Sequence, residues 1–273
     1  MRAFTNAVRA ETRKLLTVRL WWLLLLILFG YVGFTAGILG GIFGALSDSP
    51  AGQRGYLPTA GLAPLVYSVA TSVGYVFPLL LGVLATTTEF RHQTLTPTFL
   101  ADPRRGRVLG SKMIVLAVFG AVFGVVGLLA SMGIGGSLLA ATGQDTALAD
   151  GDTWVLVARV VLAMAIWAVL GVGLGVMIPS QVGAIVVVLA FTQFVEPILR
   201  AGTSIWEWTA QIGKFLPGAA GDALVGSSVF TALGGGTTNV AVLEWWQGGL
   251  VLLGYALVVS LIGYAITWRR DVT

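Results

Sequence analysis

The sequence has no cysteine, a single histidine and few charged residues. The absence of cysteine excludes disulfides, thiolate metal sites and cysteine nucleophiles. One histidine, His92, is too few for an H-E-x-x-H metal motif. The sequence also lacks a G-x-x-x-x-G-K-[ST] nucleotide loop and a G-x-S-x-G nucleophile elbow. We therefore expect no catalytic centre, no metal site and no cofactor bound by this chain itself.

The low charge content also indicates where the chain resides. Only 10% of its 273 residues are charged and 56% are hydrophobic, whereas soluble domains carry about 25% charged residues. The composition therefore predicts a membrane protein, with the lipid bilayer as its first partner. The net charge of +4 does not indicate a nucleic-acid partner, because the cations stand at the ends of apolar runs and not in a patch.

Long apolar runs predict an all-α, polytopic fold that occupies residues 1–273 as a single transmembrane domain. The six predicted membrane spans cover approximately residues 20–46, 65–88, 113–141, 154–178, 181–199 and 248–268. Residues 1–19 place apolar side chains on one helical face and predict an interfacial helix. Residues 200–247 combine tryptophans with the Gly234–Gly236 run, which predicts short re-entrant helices in the outer leaflet.

The first span contains glycines at four-residue spacing, at Gly33, Gly37 and Gly41 and again at Gly40 and Gly44. Small residues at this spacing permit close approach of a second helix. The alternative is the ordinary glycine enrichment of membrane helices.

The charge distribution predicts the orientation. Twelve of the sixteen Lys and Arg residues lie in residues 1–19, in residues 89–112 and in the carboxyl-terminal pair Arg269 and Arg270. The positive-inside rule then places both termini and the 89–112 loop in the cytoplasm. Asp48, Arg54 and the acidic segment around Asp150 are assigned to the outer face.

An ionisable residue inside a span is costly and therefore informative. Glu196 stands near the outer end of the fifth span, four residues before Arg200. Two interpretations remain open. Glu196 either forms a local ion pair with Arg200, or it faces a central pathway together with Gln193.

Residues 89–112 form a charged loop between the second and third spans. We expect a helix to start at Thr88 and Glu89 and to stop at Asp102-Pro103. Apolar contacts to a cytosolic partner would come from Phe90, Leu95, Phe99 and Leu100. The alternative is a solvated connector that only sets the topology.

The same loop resembles the cytoplasmic loop that follows the second span in ABC-2 type transporter permeases, the membrane subunits of bacterial ABC exporters. The matching positions are Glu89, Arg91, His92, Thr94, Thr98, Pro103, Arg105 and Lys112. The amino-terminal sequence with Glu11, Lys14 and Arg19 is similar to the interface helix of that family. Two departures are Gln93, where the family usually has glycine, and Pro97, which falls within the proposed helix.

This resemblance implies a non-catalytic subunit of the bacterial plasma membrane. It implies pairing with a second permease subunit, identical or related, and docking of a cytosolic ATPase that binds ATP and Mg²⁺. The implied coupling residues are Glu89, Phe90, Arg91, His92, Thr94, Phe99 and Arg105, with Glu11 and Lys14. The second and fifth spans would line the translocation pathway through Phe77, Phe191, Gln193, Phe194 and Glu196.

The predicted function is export of a hydrophobic or amphipathic substrate such as a drug, lipid or peptide, because the implied lining is mostly apolar. Two alternatives stay open. One is a membrane-embedded sensor or assembly protein, and the other is a secondary carrier without an ATPase partner. The sequence shows no internal repeat of the kind that many carriers contain.

Overall fold

The computed structural model describes residues 2–47, 61–202, 207–233 and 242–268, and all regular structure in these ranges is helical. Six helices are long and apolar enough to cross a membrane, and we number them spans 1 to 6: Leu20–Ser47, Leu62–Arg91, Arg105–Ala141, Gly151–Met177, Gln181–Gly202 and Trp245–Trp268. The prediction of an all-helical, multi-pass chain is confirmed at this level. Asp48, Arg54, Gly234–Gly236, Arg269 and Arg270 lie outside the described residues.

Within the described residues, five shorter helices accompany the spans. The amino-terminal helix is Arg2–Thr17 and the loop helix, between spans 2 and 3, is Leu95–Ala101. The other three lie between spans 5 and 6, at Glu207–Gly213, Pro217–Val225 and Val229–Leu233. Below, "inner" denotes the end of the bundle that holds the amino-terminal helix, and "outer" the opposite end.

The helical spans are longer than the apolar runs that predicted them. Span 2 extends to Arg91 and span 3 begins at Arg105, so much of the predicted 89–112 loop is helix. The reason is that Arg, Glu and Lys are good helix formers, so a helix continues into water after its apolar stretch has ended. Residues 92–104 are left to form the turn and the loop helix.

Span 2 contains a break near its middle. Its first segment ends at Ser72 and its second begins at Val76. The break lies just before Pro78, whose ring nitrogen cannot donate to the carbonyl four residues earlier. The missing donor at Pro78 is a physical reason for this break.

Spans 2 and 4 form the centre of the bundle. Span 2 is the most enclosed of the six, with 78% of its apolar window buried. It crosses span 4 where Gly82 faces the backbone of Ala168 and Gly171 faces the backbone of Leu79. Spans 5 and 6 lie at the periphery, with only 22% of their windows buried.

Span 1 packs against span 3 through the glycines that the sequence indicated. A Cβ on Gly37 would lie 3.2 Å from Ile134, and one on Gly40 would lie 2.6 Å from the carbonyl oxygen of Gly135. Gly33 likewise faces Ile134 of span 3, and Gly44 faces Thr142, the residue directly after span 3. Gly41 does not belong to this contact, because a Cβ added there would meet no atom of another helix within 4 Å.

The crossing of spans 2 and 4 leads to a first prediction. In Gly171→Ala, the added methyl group would overlap the carbonyl of Leu79, and overpacking of this kind costs about 1–3 kcal/mol of unfolding free energy. The matched control is Gly41→Ala, which adds the same methyl group in open space. Thermal unfolding in detergent, followed by tryptophan fluorescence, should show a lower midpoint for Gly171→Ala only. Equal unfolding midpoints of Gly171→Ala and Gly41→Ala would contradict the close crossing of spans 2 and 4.

Candidate functional site

Four charged side chains meet at the inner end, where the amino-terminal helix lies against spans 2 and 3. We call Glu11, Lys14, Glu89 and Lys112 the inner charge cluster. The Lys112 ammonium donates to Glu11 Oε2 at 2.6 Å and lies 3.1 Å from Glu89 Oε1. The Lys14 ammonium donates to Glu11 Oε1 at 2.6 Å and to Glu89 Oε1 at 2.9 Å. Each lysine thus bridges both glutamates.

Three members of the inner charge cluster are almost fully enclosed. Lys112 is 2% exposed, Glu11 is 3% and Glu89 is 6%. Two positive and two negative charges cancel, which makes the burial tolerable, since an isolated buried charge is very costly. Within the described residues, Glu89 Oε2 is buried without a hydrogen-bond donor. The cluster therefore fixes the amino-terminal helix to the inner ends of spans 2 and 3.

The cluster shifts the acid–base equilibria of two of its members. Burial alone would raise the pKa of Glu11, but the ammonium groups of Lys112 and Lys14 outweigh burial and lower this pKa below its usual 4.5. Burial alone would lower the pKa of Lys14, but Glu89 and Glu11 outweigh it and raise this pKa above its usual 10.5. Both groups are therefore held in their charged forms.

A second contact set joins the loop helix to the end of span 6. The Trp268 side chain is 1% exposed and packs edge-on against Phe90 and Phe99, at ring distances of 5.8 and 5.4 Å. Its indole N–H donates to the carbonyl of Arg105 at 3.1 Å, and Arg105 donates back to the carbonyl of Trp268 at 3.1 Å. The Arg105 guanidinium also lies over the Phe99 ring. The loop helix is therefore braced on its inward side.

The loop helix differs from the sequence-based expectation. It begins at Leu95, whereas Glu89, predicted to start it, belongs to the last turn of span 2. Pro97 does not interrupt it, because Pro97 lies in the first turn, where backbone N–H groups have no intrahelical acceptor. Gln93 takes a left-handed conformation with φ 53° in the intervening turn. Glycine would adopt this conformation without strain, which is a physical reason for glycine at this position of the resembled motif.

Six of the nine predicted coupling residues belong to these two contact sets. Glu11, Lys14 and Glu89 belong to the inner charge cluster, and Phe90, Phe99 and Arg105 belong to the contacts around Trp268. The other three are exposed: Arg91, which donates to Gln181 at 3.1 Å, His92 and Thr94.

An outward face remains on the loop helix. Thr96, Pro97 and Leu100 are exposed there, beside Arg91 and His92. Leu100 is 83% exposed, the highest value among the large apolar side chains of the described residues. We call these five residues the loop face. The sequence named Leu100 as an apolar contact, but only the helix register shows that it points away from the chain while Leu95 is buried.

Near the outer end, Glu196 belongs to a larger network than the predicted ion pair. Arg200 donates to Glu196 Oε1 at 3.1 Å, as the four-residue spacing predicted, and also to Asp222 Oδ2 at 2.7 Å. Gly218 N–H donates to Glu196 Oε1 at 2.6 Å and Ser228 donates to Asp222 at 2.7 Å. Glu196 is 1% exposed. The network ties span 5 to the helix Pro217–Val225, and Asp222 could not be found from local spacing.

The predicted pathway residues do not form one lining in the single chain. Gln193 and Glu196 border a cavity of about 60 Å³, enough for about two waters. Phe194 is 67% exposed and Phe191 is half-buried, both in the π-helical turn Phe191–Val195 of span 5. Phe77 packs instead against Tyr31 of span 1, at a ring distance of 6.0 Å.

The sequence matches no protein-family model and no curated protein. The similarity to ABC-2 type permeases therefore stays a prediction that rests on the loop motif.

In the described ranges, no group of three or more His, Asp or Glu side chains could hold a metal ion.

The inner charge cluster leads to a second prediction. In Lys112→Met, two buried glutamates would share only Lys14, and removal of one partner from a buried ion pair costs about 3–5 kcal/mol. The double variant Lys112→Met with Glu11→Gln restores charge balance and should recover part of this loss. Unfolding midpoints of the single and double variants measure both effects. An unfolding midpoint of Lys112→Met equal to that of the wild type would show that the cluster does not stabilise the fold.

A third prediction concerns pH. The folded-state pKa of Glu11 is lowered, so its stabilising effect should be complete above pH 4.5 and disappear as the pH falls through the lowered value. The folded-state pKa of Lys14 is raised, so the stabilising effect of Lys14 should be complete below pH 10.5. This effect should disappear as the pH rises through the raised pKa. The midpoint difference between wild type and Glu11→Gln should therefore shrink in acid. The difference for Lys14→Met should shrink in alkali. Differences that do not vary with pH would contradict the pairing.

Proposed function

We propose that this chain is the membrane subunit of an ATP-driven exporter of the bacterial plasma membrane. A separate cytosolic ATPase, which binds ATP and Mg²⁺, would dock on its inner end. The substrate would be a hydrophobic or amphipathic molecule, and a second permease subunit would complete the pathway. The observation that carries the proposal is the loop face, an exposed surface on a helix that is firmly held from behind.

The loop face has the properties of a coupling surface. Leu100 projects into solvent at 83% exposure, with Pro97 and Thr96 one turn before it. An exposed apolar side chain on a short helix is the kind of contact that an apolar groove of a partner protein binds. The Arg91 guanidinium beside it would pair with a carboxylate at the rim of such a groove.

The bracing behind the loop face provides a route for movement. A force on Leu100 reaches span 6 through Phe99 and Trp268, which are in ring contact. It reaches span 2 through the short turn after Arg91, and the inner charge cluster joins span 2 to span 3 and to the amino-terminal helix. We therefore propose positioning roles for the inward-facing residues of the predicted coupling set, and direct partner contact for the loop face.

The two alternatives predict different behaviour of the same surface. A sensor or assembly protein would bind a cytosolic partner at the loop face without any ATPase. A secondary carrier would use no cytosolic partner at the loop face. The identity of what co-purifies with the chain therefore separates the three functions.

A fourth prediction tests the function. The chain is purified from its native membrane, and ATPase activity and bound subunits are measured. Leu100→Asp should abolish co-purification of a Walker-motif ATPase, because a carboxylate cannot enter an apolar groove without a large desolvation cost. The variant should fold normally, since Leu100 has little contact with its own chain.

The matched control is Gly151→Asp, which adds an exposed carboxylate at the outer end. A Cβ added at Gly151 would meet no neighbouring atom within 4 Å. It should keep the ATPase bound. Recovery of a cytosolic partner without ATPase activity would favour the sensor. Substrate transport by the chain alone, unaffected by Leu100→Asp, would refute the proposal.

A further inference from the structure

A basic pocket opens at the inner end, between the start of span 3 and the end of span 6. Its volume is about 570 Å³, and it is lined by Pro103, Arg104, Arg105, Gly106, Arg107 and Tyr264. We propose that this pocket binds the phosphodiester headgroup of an anionic phospholipid. The inference does not depend on the proposed transport function, and requires only that the spans lie in a bilayer.

The lining of the pocket is basic. Three of its six residues are arginines, and of these Arg107 pairs with Asp102 at 3.1 Å. Arg105 is held by the carbonyl of Trp268 and the ring of Phe99. Arg104 is exposed, and its side chain makes no ion pair or hydrogen bond within the described part of the chain. Arg104 is thus available to a ligand.

The backbone at the pocket increases the attraction for an anion. Span 3 starts at Arg105, and its first turn contains no acidic residue and no capping side chain. Cations at the positive end of a helix dipole are unfavourable, whereas a phosphate group there is favourable. Arginine binds phosphate oxygens in a bidentate manner, so the side-chain chemistry and the helix end select the same kind of group.

The surface below the pocket fits an acyl chain. Tyr264 borders the pocket, and positions three, seven and eleven residues before it on span 6 are Leu261, Leu257 and Leu253. All three are exposed, at 66%, 53% and 43%. Side chains at this spacing lie along one face of a helix. A leucine stripe therefore leads from the basic pocket along span 6, and this favours a lipid over a free phosphate compound.

The test uses the full chain, purified in a neutral detergent. Unfolding midpoints are measured against increasing concentrations of dioctanoyl phosphatidylglycerol, dioctanoyl phosphatidylcholine and glycerol 3-phosphate. Phosphatidylglycerol should raise the midpoint at concentrations where the other two do not, because only it combines a net negative headgroup with acyl chains. A similar effect of glycerol 3-phosphate would identify a free-anion site and overturn the lipid assignment. No effect of phosphatidylglycerol would overturn the site.

Two variants localise the effect. Arg104→Gln should weaken the apparent affinity for phosphatidylglycerol about tenfold, which corresponds to the loss of one charge-assisted contact. The control Arg13→Gln removes an equal charge from an exposed position on the amino-terminal helix and should keep the wild-type affinity. Equal losses in both variants would indicate general surface attraction and overturn the pocket.

Gly106→Glu provides an independent check. A Cβ at this position would lie 3.7 Å from the Tyr264 hydroxyl, so the side chain has room to enter the pocket. Its carboxylate would occupy the place of the phosphate, and the lipid response should disappear. The unfolding midpoint of Gly106→Glu without lipid should equal or exceed that of the wild type, since an acid in the first turn of a helix is stabilising. A retained lipid response would contradict the proposal.

Discussion

Two lysines and two glutamates at the inner end of the bundle, three of them buried, are the constraint on which the rest of this structure depends. Glu11, Lys14, Glu89 and Lys112 come from three helices and are paired so that every charge has an opposite neighbour. A lone member of this set could not stay buried. The amino-terminal helix must therefore lie against spans 2 and 3, and that placement sets the position of the loop between them.

Close contacts also join the other helices of the bundle to one another. Spans 2 and 4 touch backbone to backbone at Gly82 and Gly171, and span 1 contacts span 3 through its own glycines. Trp268 fixes the end of span 6 to the loop helix. At the outer end, the network around Glu196 and Asp222 ties span 5 to the short helices that follow it. What remains exposed at the inner end is then the surface offered to other molecules.

The sequence predicted the parts of this fold that follow from local patterns. Apolar runs gave the six spans because a bilayer requires about 20 apolar residues per helix, and four-residue spacing gave the Glu196–Arg200 pair. It missed what depends on distant residues. The contact of Lys112 with Glu11 joins positions 101 residues apart, and no periodicity reports it. Likewise, residues 89–112 carried the recognisable motif, but which of them face outward depends on a helix that starts at Leu95, shortly after the left-handed residue Gln93.

The absence of native cysteine makes the central claim directly measurable, because a single introduced thiol is unique in the chain. Leu100→Cys, labelled with a photoreactive thiol reagent in native membranes, reports whatever lies against the loop helix. The account predicts a cross-link to an ATP-binding subunit, and weaker cross-linking once the inner charge cluster is disrupted by Lys112→Met. Labelling of Cys at this position by a membrane-impermeant reagent from outside intact cells would contradict it, and so would a chain that cross-links to no protein.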